Sequence, residues 1–207
     1  MRTLLIIIPG SGAGIPRFLK KYFHKFYNYF GVDRQGDAWA YVLKDHIEKH
    51  TPEIDIHVFK WIKGFYNIIF INLAAKKLAK FLKKRPGYDR VVLLGKSLGG
   101  IVAEDSLRYS KELGGIIHLI YVATPHKKSF VDFPQPVKIT NIFSNEDMFL
   151  NLGRKLLHFG FGRKTIEGAD NIVIKNMKHA DFNKNIVIPY QGEKRLLFEL
   201  YTKLILE

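Results

Sequence analysis

In VVLLGKSLGG, residues 91–100, Ser97 stands two residues after Gly95 and two before Gly99, where an aliphatic run gives way to helical spacing. Gly-x-Ser-x-Gly at a strand-to-helix junction allows a sharp turn that holds a serine hydroxyl outward as a nucleophile. The competing reading is an ordinary turn in which Ser97 caps the helix. A nucleophilic serine needs a base for its proton, and the base needs an acid to orient it. Of eight histidines, His24, His46, His50 and His158 fall in helix-like stretches, and His57 and His118 fall inside strand-like runs. That leaves His179, in NMKHADF, and its competitor His126, in ATPHKKS, each in a loop after a strand. NIFSNEDMF supplies the acid: Asp147 is preferred, Glu146 is its nearest rival, and Asp170 and Asp181 are lesser ones. Against Asp147, the Ser144–Asp147 spacing also resembles a helix-capping box.

Acyl chemistry needs donors for a developing oxyanion. One is the Leu98 N–H, directly after the serine. The other is expected from PGSGAG, residues 9–14, where Ser11 is chosen and Gly12 is the near alternative. A phosphate-binding role for that loop lacks the Lys-Ser/Thr that P-loop spacing requires. The chain has no cysteine, which excludes disulfides and thiolate chemistry. No histidine or carboxylate spacing suggests a metal site, so neither metal nor cofactor is expected.

These residues need a frame to hold them. Ile- and Val-rich runs at 3–8, 54–59, 90–95, 116–123, 137–143 and 171–176 alternate with helix-like stretches at 37–50, 66–84, 99–113, 145–158 and 192–206. Several runs are apolar on both faces, as strands covered by helices on both sides are. The alternation predicts a parallel sheet with right-handed crossovers. In such a sheet, ligands bind beyond the carboxyl ends of the strands. A length of 207 residues with 47% hydrophobic content suits a single domain, 1–207. The apolar run Leu4–Ile8 is too short for a signal peptide, so an intracellular, cytoplasmic protein is expected.

The motifs, taken in order, resemble the α/β-hydrolase family and its small esterase and lipase branch. PGSG resembles the oxyanion turn, with Pro9 where a histidine often stands. GKSLGG resembles the elbow often written GHSMGG, with Lys96 at the variable position. YVATPHKKS is similar to the Gly-Thr-Pro-His segment of many lipases, with Ala123 in place of its glycine. FSNEDMF and MKHADF resemble the acid and histidine loops. The resemblance implies a three-layer α/β-hydrolase sandwich with a trimmed, mostly parallel sheet of about six strands, ordered 2-1-3-4-5-6. It implies a carboxylic-ester hydrolase using Ser97, Asp147 and His179, with Gly10, Gly12, Lys96, Phe18 and Phe149 beside a small-molecule or lipid ester. A thioesterase or acyltransferase with the same residues, and a hydrolase-fold protein that binds without turnover, are the alternatives.

The net charge of +14 is concentrated. Residues 15–30, 60–85 and 148–166 carry four, eight and four Lys or Arg and no acid, together more than the net charge. Nucleic-acid binding has no recognition motif behind it and is not expected. In 15–36 and 148–166, aromatics or leucines interleave with the basic residues. A lid over an acyl cleft, or a peripheral contact with an anionic membrane surface, would read this way. Residues 66–84 read as an ordinary amphipathic crossover helix. The sequence carries no sign of oligomeric state.

Overall fold

Thr3–Ile8 forms strand β1, buried along its whole length. Leu5 and Ile7 enter one apolar layer, and Leu4, Ile6 and Ile8 enter the other. The two-residue period of a strand produces that split. The structure, a computed structural model, describes residues 1–10, 37–61, 68–110, 113–125, 133–148, 150 and 165–207. Within them, β1 pairs in parallel with β2 (Ile54–Val58) and with β3 (Arg90–Lys96). Strands β4 (Ile116–Val122), β5 (Val137–Phe143) and β6 (Asp170–Val173) follow, so the sheet runs β2-β1-β3-β4-β5-β6. This is the expected order.

Helices α1 (Ala38–His50) and α4 (Leu197–Leu206) cover one face of the sheet. There Trp39, Leu43, Ile47, Leu197 and Tyr201 meet Leu5, Val92 and Ile120. Helices α2 (Ile68–Lys83) and α3 (Leu98–Tyr109) cover the other, where Ile71, Leu78, Ile101 and Val102 meet Ile6, Leu93 and Leu119. Each fully buried aliphatic side chain contributes about 1.5–3 kcal/mol. Among the described residues, no helix is long and apolar enough to cross a membrane.

Two expectations are corrected. The last helix does not begin at 192. Residues Val187–Tyr190 (β7) and Glu193–Leu196 (β8) form an antiparallel hairpin, and α4 starts only at Leu197. Gln191 and Gly192 both have positive φ (52° and 83°), the pair a two-residue hairpin turn demands. The sixth strand is shorter than 171–176. It ends at Val173, and Asn176 turns the chain with φ 59°. The segments 15–36 and, for the most part, 148–166 lie outside the described residues.

A buried polar chain crosses β3, β4 and β5. The Arg90 guanidinium lies 3.1 Å from Nδ1 of His118, and His118 Nε2 lies 2.8 Å from the Thr140 hydroxyl. Arginine can only donate, so Nδ1 accepts, and the ring proton sits on Nε2 and points at Thr140. His118 is completely buried. Burial first, then the charges of Lys138 and Arg90, push its pKa from 6.5 down to about 3. The unfolded chain therefore binds a proton that the folded one refuses, and stability falls as pH drops from 6.5 toward 3. Measured by urea unfolding, His118→Gln is expected to show a flatter stability profile across that window, by the share of one proton. An unchanged slope would mean that His118 is not the group responsible.

Candidate functional site

Ser97 occupies the tight turn between β3 and α3 with φ 51° and ψ −129°. A non-glycine residue held there costs about 1–3 kcal/mol. Its hydroxyl makes no capping bond to α3, so the cap reading of this serine fails. The surrounding glycines are required by close approach. A Cβ on Gly95 would stand 2.5 Å from Gly100 Cα, one on Gly99 would stand 2.1 Å from the Ile8 carbonyl oxygen, and one on Gly100 would stand 2.2 Å from Thr124 Oγ1. The Ser97 N–H donates to the Val122 carbonyl at 2.9 Å. The Thr124 hydroxyl donates to the Gly95 carbonyl at 3.2 Å, so the Ala-Thr-Pro segment after β4 braces the turn.

The chain leaving β1 is pressed against this serine. A Cβ on Gly10 would lie 2.8 Å from Ser97 Cβ and 3.5 Å from its Oγ. Trp61, beyond the end of β2, donates its indole N–H to the Pro9 carbonyl at 2.8 Å in a buried bond. Sequence reading gave Trp61 no role, because nothing in a lone tryptophan after an apolar run signals a bond to a distant loop. Leu98 is the first residue of α3, so its N–H is one of the first-turn donors that no helical carbonyl can accept. The helix dipole adds partial positive charge at that point. Ser11, Gly12, Phe18 and Phe149 lie outside the described residues.

Registers Lys96–Val122 and Val122–Ile142 set the ends of β3, β4 and β5 level. The loops after β3, β5 and β6 therefore leave from one edge of the sheet. Asp147 and His179 meet there, with Asp147 Oδ2 2.8 Å from His179 Nδ1; both residues are buried. A carboxylate only accepts, so the proton is on Nδ1, and Nε2 is the basic atom of the ring. Glu146, the nearest rival, is engaged elsewhere. Its Oε2 accepts the Ser144 hydroxyl at 2.6 Å and the Asn176 N–H at 3.2 Å. The Met177 N–H in turn donates to the Ser144 hydroxyl at 3.3 Å. Ser144 and Glu146 thus tie the acid loop to the histidine loop. Asp147 does cap locally: its second oxygen accepts the Leu150 N–H at 3.2 Å.

A family profile described as the PGAP1-like alpha/beta domain matches residues 19–156. The chain belongs to that family. Its members have the α/β-hydrolase fold, and a solved structure agrees on the architecture. A protein from Lactobacillus plantarum WCFS1 described as a cell surface hydrolase aligns over 99% of this chain and 90% of its own, with TM-score 0.53 and 15% identity. ClbQ, from the colibactin NRPS/PKS pathway, aligns over 99% of this chain and 94% of its own at 11% identity, with TM-score 0.49. The first likeness speaks to fold alone. No curated protein matches the sequence.

Other histidines of this PGAP1-like domain have structural surroundings. His118 belongs to the buried chain with Arg90, His57 stacks on Phe81 with centroids 4.4 Å apart, and His46 and His50 share α1. His24, His126 and His158 lie outside the described residues.

Burial, followed by the charge of Lys96, holds the His179 pKa below the ordinary 6.5, while Asp147 opposes both. Lys96 is itself 5% exposed and stands directly before Ser97. His179 is therefore neutral and basic at neutral pH. Followed by NMR, its titration is expected below 6.5 in the native chain. Lys96→Gln should move it up and Asp147→Asn should move it further down. If neither variant moves it, neither charge reaches the imidazole.

Proposed function

We propose that this chain is a serine hydrolase that cleaves carboxylic esters with Ser97 as nucleophile, His179 as base and Asp147 as the orienting acid. The observation that carries the reading is the strained Ser97 turn, with a hydroxyl not used as a helix cap, on the sheet edge that holds the buried Asp147–His179 pair. His179 Nε2 takes the Oγ proton as Oγ bonds to the ester carbonyl carbon, while Asp147 stabilises the imidazolium. The carbonyl oxygen becomes an oxyanion, held by the Leu98 N–H and, in this reading, by the Ser11 N–H. The carbonyl then re-forms, the bond to the alcohol oxygen breaks, and His179 returns its proton to the leaving alkoxide. Water repeats the sequence on the acyl-enzyme and restores Ser97.

Hydrolysis of nitrophenyl esters of graded acyl length tests this reading, with matched thioesters in parallel to separate esterase from thioesterase. Ser97→Ala, His179→Ala and Asp147→Asn should each lose about 10,000-fold in kcat. Glu146→Gln should lose far less, because its bonds are to the loops and not to the imidazole. Equal rates for native protein and Ser97→Ala would remove the nucleophile, and a collapse in Glu146→Gln alone would move the acid. Trp61→Phe keeps the ring and removes the donor to Pro9. A drop of about 10- to 100-fold in kcat with KM little changed is expected, as misplaced donors produce. An unaltered kcat would mean that the oxyanion turn holds without it.

A further inference from the structure

Helix α2 carries its unusual feature on the face turned away from the sheet. Its inner face is complete: Ile71, Ala74, Leu78 and Leu82 supply the core. Outward stand Ile69, 64% exposed, and Leu73, 58% exposed, followed by the exposed Lys76, Lys77, Lys80 and Lys83. Positions 69, 73, 76, 80 and 83 follow the helical period, so they make one stripe. The sequence reads as an ordinary amphipathic crossover helix; the structure places two large aliphatic side chains, one turn apart, in solvent. Neighbouring α3 adds Tyr109, 40% exposed, whose hydroxyl donates to Asn72 at 2.9 Å and whose ring lies 5.6 Å beneath the Lys76 ammonium.

No acid on α2 offsets these lysines. On α3, Asp105 pairs with Arg108 at 3.2 Å, and buried Glu104 pairs with Arg108 at 2.9 Å and accepts the Tyr121 hydroxyl. The stripe also has a direction. The last turn of α2 lines a cavity of about 200 Å³ with Leu4 and Tyr88, near the amino ends of β1 and β3. Ile69 and Leu73 therefore lie at the opposite end, toward the edge where β2 ends and Ser97 sits.

From this we infer that the outer stripe of α2 docks on an anionic lipid surface, with Ile69 and Leu73 entering the interfacial layer and the lysines facing lipid phosphates and carboxylates. An apolar pair continuous with a one-signed basic run is what such a surface attracts, through two additive terms. The docking stands apart from the hydrolase reading; that it turns a catalytic edge toward the bilayer rests on that reading.

Co-sedimentation of the 207-residue chain with phosphatidylcholine vesicles, with and without phosphatidylserine, tests the inference. Binding is expected on the anionic vesicles and should weaken with added salt. K76Q/K77Q/K80Q should cut partitioning about 100-fold and flatten the salt dependence. I69S/L73S should cut it about tenfold or more while leaving the salt dependence in place. Soluble-ester hydrolysis, together with circular dichroism, should be unchanged in every variant. Absence of native binding to anionic vesicles, which would leave an acidic protein as the occupant of this face, overturns the inference. So does native-like binding by either variant set. A chain that binds vesicles but hydrolyses no ester would overturn the hydrolase reading and leave the docking intact.

Discussion

The contact on which the site depends is the one made where a side chain is missing. At Gly99 the backbone of α3 lies so near the end of β1 that a single added carbon would stand 2.1 Å from the Ile8 oxygen. Gly95 and Gly100 meet under the same restriction. Three chain segments are thereby compressed into one corner: the end of β1, the end of β3 and the start of α3. Compression brings Gly10 against Ser97 and places the first free amides of α3 beside it. The same crowding leaves the serine no ordinary backbone conformation, and the strain at Ser97 persists because its surroundings over-determine it.

The acid and histidine come from loops with no such crowding, and polar bonds hold them. Ser144 and Glu146 join the loop after β5 to the turn after β6, and Asp147 then needs only one bond to orient the imidazole. His179 lies between opposed influences. Burial and Lys96 favour its neutral form, and Asp147 favours the charged one. A base buried beside a lysine gives up basicity to be proton-free at neutral pH.

Legibility in the sequence followed the length scale of each cause. The strands could be read because strands buried on both faces leave unbroken apolar runs, as in TLLIII and VVLL; their order was implied by the resemblance of the motifs to the α/β-hydrolase family. The Ser97 turn could be read because the glycines that permit it are its immediate neighbours. The preference for Asp147 over Glu146 had less behind it, since adjacent carboxylates leave nearly the same trace and differ chiefly in which partner each meets across the fold. The hairpin at 187–196 was hidden because Gln191 takes a left-handed conformation that glutamine does not advertise. Trp61 and the apolar end of the α2 stripe were hidden for a related reason. Burial of one face does not state what the other side of a residue meets.

The bond from Trp61 to Pro9 spans 52 positions in the chain. Trp61 follows β2, which lies at one end of the strand order and, among the described residues, has β1 as its one strand neighbour. Loop closure over that distance must precede the contact, an entropic cost that local contacts do not carry. In the native state it shares the fate of the sheet margin. A transient opening that peels β2 from β1 would release the indole and the turn together, tying the lifetime of the site to an edge strand.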